Sequence, residues 1–234
     1  MSKIFVDQVD PKTGTTLTLG TSGDTVNIPS GVTLANAGTV TGLPASAISS
    51  GTIATARLGS GTASSSTFLR GDQTYAAAGG ITAASQWRLT TGFSGVSSAT
   101  PIASNWELSD TTGYGSLGSN MTESSGIFTF PSTGYWHIWA LINFNINGQS
   151  LYNSCAIMAT VNNSSYANAT DSYASINTSG NGYASASGDF IFDVTNTSTH
   201  KVRLDTVLQN TNTNVQGSSI DLRTGMTFIR LGDT

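Results

Sequence analysis

Charge is scarce in this chain of 234 residues. Asp, Glu, Lys and Arg together make up 9% of it, against roughly 25% in ordinary soluble domains. Lysine is confined to Lys3, Lys12 and Lys201, and glutamate to Glu107 and Glu123. No basic patch exists, which argues against a nucleic-acid partner. The formal net charge is only -4, and disordered segments usually carry a high one. Cys155 is the single cysteine, so no intrachain disulfide can form and a buried thiol is expected. No basic-then-apolar N-terminal run marks a secretory signal. No apolar stretch approaches the ~18–20 residues that span a bilayer. The expectation is a protein made in a cytoplasm, without membrane insertion and delivered by something other than a secretory signal.

Aromatic residues are nearly absent from the first third. The chain holds 9 Phe, 7 Tyr and 4 Trp, yet only Phe5, Phe68 and Tyr75 fall in the first 80 positions. Aromatics carry much of a core's buried area, so the first third cannot build an ordinary core alone. Residues 1–44 read as a fibrous region of short strands: Ile4–Val9, Thr15–Leu19, Thr25–Ile28 and Val32–Leu34, broken by Gly and Pro. Residues 45–84 read as a low-complexity stalk linker in a Ser/Thr/Ala/Gly background. Residues 85–234 read as a compact head. The acidic imbalance sits wholly in its part of the chain, since the four acids of residues 1–80 are matched by four bases.

Helical periodicity is also missing, and strand signals take its place at Gln86–Thr90, Ile127–Phe130, Tyr135–Ile146, Leu151–Val161, Tyr183–Val194, Lys201–Gln209 and Gly225–Leu231. The head is therefore predicted to be all-β. In the longest strand Trp136, Ile138, Ala140, Ile142, Phe144 and Ile146 make one apolar face. With Phe128, Phe190, Phe192 and Phe228 they are the expected core. The opposite face begins with Tyr135, His137, Trp139 and Leu141. That half is too apolar for open water, and a neighbouring subunit is expected to cover it.

Two stretches resemble known families. Gly51–Gly59 (GTIATARLG) and Phe68–Tyr75 (FLRGDQTY) resemble linker segments of bacteriophage tail-fibre proteins. Gly126, Phe128, Pro131, Gly134, Trp136 and Ile138, with the closing segment Gly225–Leu231, resemble the tumour necrosis factor and complement globular-head superfamily. Trp136 stands where that family usually has Tyr, and Ile138 where Phe is common. The second resemblance implies a jelly-roll β-sandwich that assembles as a tight homotrimer. The combined layout implies a virion fibre, on tail or neck, whose N-terminal region binds another virion protein and whose head contacts a host surface glycan or protein. A capsid decoration or neck/collar fibre with a structural role is the alternative, and a surface polysaccharide depolymerase is a third reading.

Enzyme chemistry is not apparent. Glycan cleavage needs two suitably spaced carboxylates, and the acids here are sparse. Asp189 and Asp193 read as solvated or paired with Lys201 and Arg203, and Glu107 and Glu123 as lying in irregular segments without partners. His137 and His200 are the only histidines, without metal-ligand spacing. Asp171 and Asp221 are isolated loop acids with no calcium-loop pattern. No phosphate loop or cofactor motif is present, so no cofactor or metal is expected. In the family's fold the last strand lies antiparallel beside the first. This sets the loops Asn145–Gln149, Asn177–Tyr183 and Asn210–Ser219 at the end far from the first head strand's start. Asn145, Asn147, Gln149, Asn177, Asn181, Tyr183, Asn210, Asn212, Asn214 and Gln216 are thus the candidate receptor contacts.

Overall fold

The computed structural model describes residues 9, 13–33, 35, 37, 53–77, 79–95 and 98–234. The chain divides into two units, Met1–Gly59 and Ser60–Thr234. In the first unit the described residues form no strand ladder. The Asp24 carboxylate accepts hydrogen bonds from the Thr21 amide at 2.7 Å and hydroxyl at 3.0 Å. These bonds close a tight turn and hold the Asp24 carboxyl below its usual range. Leu17, Leu19, Val26, Ile28 and Val32 are all exposed. The strands expected at Thr15–Leu19 and Thr25–Ile28 are therefore not formed, because no described residue pairs with them. The strand expected in 1–12 lies outside the described residues apart from Val9, as does Leu34 of the third. A short 3-10 turn spans Thr55–Arg57.

The second unit opens with a hairpin inside the stretch expected to be plain linker: β1 (Thr67–Leu69) and β2 (Tyr75–Ala77). Its turn is held by the Asp72 carboxylate, which accepts from the Thr74 amide at 3.1 Å and hydroxyl at 2.7 Å. An Asp side chain that bonds the backbone two residues on mimics a turn.

The head contains β3 (Ala84–Leu89), β4 (Thr100–Pro101), β5 (Trp106–Leu108), β6 (Thr122–Ser124), β7 (Ile127–Thr129) and β8 (Gly134–Asn147). It continues with β9 (Ser150–Thr160), β10 (Ala167–Ile176), β11 (Asn181–Val194), β12 (Lys201–Thr206), β13 (Asn214–Val215) and β14 (Gly225–Gly232). One sheet runs β11-β8-β14-β3-β5, with β13 beside the end of β8; the other runs β10-β9-β12-β7-β6, with β4 beside β12. Every head pairing between these strands is antiparallel. The chain changes sheet after β3, β4, β5, β7, β8, β10, β11 and β12, which makes the pair of sheets a jelly roll. Among the described residues no α-helix occurs, and no helix is long and apolar enough to cross a membrane.

Burial follows the period of two that strands impose. Along β8, Trp136, Ile138, Ala140, Ile142, Phe144 and Ile146 are buried while their alternates are not. Phe128 sits at the centre, edge-on to Trp87 at 5.6 Å and Trp106 at 5.1 Å, and 5.2 Å from Phe228. Phe192 is buried, whereas Phe190, expected beside it in the core, is only half-buried. Gly126, at φ 79°, lets the β6–β7 turn pass against the Ile102 carbonyl where any Cβ would collide. Five head strands go beyond the sequence reading. β4, β5, β6 and β13 are only two or three residues long. β10 is an edge strand built mostly from Ala, Ser, Thr and Asn, and only Ala174 and Ile176 in it are buried.

Trp136→Ala should leave a cavity between Phe130, 5.3 Å away, and the facing sheet. Chemical denaturation is expected to show a loss of about 3–5 kcal/mol. Burial pushes the Cys155 thiol up to about 12, so the thiolate is nearly absent at pH 8. A thiol reagent should label native protein negligibly at that pH and label one site per chain after unfolding.

Candidate functional site

The face of the first sheet turned away from the core carries the features of interest, and its two halves differ in chemistry. β8 runs up its centre, with β11 on one side in register from Asn181 opposite Asn147 to Val194 opposite Gly134. β14 lies on the other side, with Thr227 opposite Trp139 and Ile229 opposite His137. Near the start of β3, this face shows Tyr135 (42% exposed) and Ile191 (57%), around the half-buried His137, Trp139, Leu141 and Ile229. Asp189, on β11 opposite Trp139, lies with its Oδ2 3.6 Å from His137 Nε2. It does not pair with Lys201 or Arg203. Arg203 instead binds Asp205 at 2.9 Å, and the Lys201 Nζ donates to Thr129 Oγ1 and the Thr197 carbonyl.

At the opposite end of the sheet the three Asn-rich loops meet. Asn147 pairs with Asn181, and the Gly148 amide donates to the Gly180 carbonyl at 3.0 Å. Gln149 Nε2 donates to Asn177 Oδ1 at 2.6 Å. Asn210 Nδ2 donates to the Gln149 carbonyl at 3.2 Å, and its Oδ1 accepts the Asn212 amide. Asn214 Nδ2 donates to the Phe93 carbonyl, and the Gln216 amide donates to the Asn143 carbonyl at 2.8 Å. Several of the residues expected to contact a receptor therefore spend their side chains on one another. Tyr183 does not: it is 70% exposed on β11, opposite Asn145. Asn143, which also faces outward on β8 between these loops, was missed by sequence reasoning. The alternation of the strand placed it with the Asn145 side chain, but it lies outside any loop.

The titratable groups are arranged for structure. Arg88 is 1% exposed. Its Nε donates to Glu107 Oε1 at 2.7 Å, its Nη1 to Thr111 Oγ1 at 2.8 Å, and its Nη2 to Asp110 and the Ser219 carbonyl. Burial opposes its charge, but the Glu107 and Asp110 carboxylates outweigh that and hold its pKa above the ordinary value. Glu107 is thus partnered and lies in β5. Glu123 lies in β6 and accepts the Gly126 amide at 2.6 Å. Burial raises Asp205 despite Arg203, and burial lowers Lys201. Asp171 belongs to β10, not a loop, and accepts the Tyr173 hydroxyl at 2.6 Å. The Ser218 hydroxyl oxygen accepts the Ile220 and Asp221 amides at 3.2 Å each, and the Asp221 carboxylate lies 3.4 Å from Arg223. Among the described residues no group of three His, Cys, Asp or Glu could hold a metal ion.

No family model matches the chain, and no curated protein matches it. Among solved structures, crystal structures of murine APRIL at pH 8.5, 8.0 and 5.0 align with 64% of this chain and 98% of theirs. The identities are 11%, 11% and 10%, and the TM-scores 0.46, 0.45 and 0.45. The jelly-roll assignment stands on the strand order and register described above.

Arg88→Met should remove the anchor shared by β3, β5 and the loop at Ser219. Because Glu107 and Asp110 can regain water, the expected cost is about 1–3 kcal/mol. Amide exchange should accelerate at Ile220 and Asp221 before it does in β8.

Proposed function

We propose that this chain is a homotrimeric fibre protein of a bacteriophage virion, whose head adsorbs to the host surface without catalysis. The observation that supports this most is the apolar half-face around Trp139. Tyr135, His137, Trp139, Leu141, Ile191 and Ile229 crowd one end of a sheet face, and no described segment of the chain covers Tyr135 or Ile191. Contiguous exposed apolar surface marks an interface, and closed symmetric homo-oligomers are the commonest way to bury it. The exposed Leu17, Leu19, Val26, Ile28 and Val32 make the same demand on residues 13–33. They alternate as strand residues do, and copies of the chain would supply the partners that no described residue provides.

The virion setting rests on the resemblance of Gly51–Gly59 and Phe68–Tyr75 to tail-fibre segments. In this reading residues 1–44 hold another virion protein and the Asn-rich end of the head faces the host. Absence of catalysis is supported by the engagement of the acids: Glu107 and Asp110 hold Arg88, Asp205 holds Arg203 and Glu123 holds a turn. None of these carboxylates is left as the free acid/base pair that glycoside hydrolysis requires.

Purified full-length protein in excess should compete with virions for the cells on which the virus grows and slow their adsorption. Trp139→Ala should keep the head folded but weaken association, and should need at least about tenfold more protein for the same effect, through lost avidity. Unchanged adsorption at saturating wild-type protein would overturn the receptor-binding reading in favour of a collar or capsid-decoration role.

A further inference from the structure

The distal half of the same sheet face carries a second feature. A groove of about 340 Å³ opens there, lined by Asn143, Phe144, Tyr183, Ala184, Ser185 and Gln216. Its size falls at the low end of the roughly 300–1,000 Å³ seen for small-molecule sites. Its floor is β8, which is hydrogen-bonded on both sides here, to β11 and to β13. The floor is rigid, and no strand edge is open on it for an extended peptide to join. One wall is β11, where Ser185 lies opposite Asn143 and Tyr183 opposite Asn145. The other is the segment after β13, fixed by the Gln216 amide to the Asn143 carbonyl at 2.8 Å.

The chemistry of the lining selects among ligands. No lining residue carries a charge, so a phosphate, carboxylate or ammonium group would find no counter-ion. The side chains of Asn143, Asn145, Gln216 and Tyr183 make no hydrogen bond to another described residue, whereas those of Gln149, Asn177, Asn210 and Asn214 do. Each free amide offers both donors and an acceptor, and the phenol offers one of each. Tyr183 adds an exposed aromatic face at the rim. A pyranose ring has the matching surface: an apolar face of C–H groups and a rim of hydroxyls that both donate and accept.

We infer that the groove lined by Asn143, Tyr183 and Gln216, with Asn145 next to it on β8 opposite Tyr183, is a binding site for a neutral pyranose of a surface glycan, with Tyr183 under the ring and the amides on its hydroxyls. This deepens the host-adsorption reading and rests on it for the source of the glycan. It requires the proposed trimer contact to stay on the other half of the face, around Trp139.

The test is saturation-transfer NMR on the full-length protein. The probes are methyl glycosides of glucose, galactose, mannose, rhamnose and N-acetylglucosamine, with a methyl sialoside as the charged comparison. At least one neutral glycoside should receive saturation and the sialoside none. Tyr183→Ala and Asn145→Ala should each reduce the signal about tenfold, Tyr183→Trp should retain it, and Asn177→Ala should leave it unchanged. Silence of all five neutral glycosides, or a signal indifferent to Tyr183→Ala and Asn145→Ala, would overturn the site. So would preferential binding of the sialoside. Adsorption of the same proteins to host cells separates the two readings. Adsorption without glycoside binding sinks the groove alone, and glycoside binding without adsorption sinks the host-attachment reading alone.

Discussion

The head's first sheet is organised around β8, which pairs directly with three of its strands. Fourteen residues of β11 pair with it on one side, and β14 and then β13 pair with it on the other. Because side chains alternate along a strand, one face of β8 supplies Trp136, Ile138, Ile142 and Phe144 to the core, and the other must face outward. A strand that is apolar on one face only needs one covering layer. Over its first half β8 is apolar on both. The second sheet covers one face, and no described segment supplies a second layer for Tyr135 and Trp139. The proposed oligomerisation, the layout of the outward face and the position of the groove all turn on this one strand.

The polar residues at the far end fall into two groups that the sequence does not separate. Gln149, Asn177, Asn210 and Asn214 lace three loops together through side-chain hydrogen bonds. Asn143, Asn145, Tyr183 and Gln216 make no side-chain hydrogen bond to another described residue. Composition treats all eight as one Asn/Gln-rich apex. The distinction depends on which amide lies within about 3 Å of a neighbour's polar atom, and that follows only from the register of β8 with β11 and β13.

Much of the fold was legible because its signals are local. The alternation from Gly134 to Asn147 and the Gly-rich breaks at Gly148 and Ser179–Gly182 mark strand and turn without any tertiary knowledge. What escaped depends on distant partners. β10 has few large side chains and is a strand because β9 pairs with it. Glu107 gains its role from Arg88, 19 positions earlier in the chain, and Arg88 is buried by residues 110–111 and 219. Phe190, which follows the strand alternation into the interior, is only half-buried because β11 is the edge of its sheet. Thr15–Leu19 and Thr25–Ile28 carry strand composition but no ladder, since a strand is a property of a pair.

The central claim is that copies of this chain cover the outward apolar half-face of β8. Sedimentation equilibrium of the full-length protein at micromolar concentration addresses it most directly. The account predicts a single species of three times the 24.1 kDa chain mass. A stable species of one chain mass across that concentration range would contradict it.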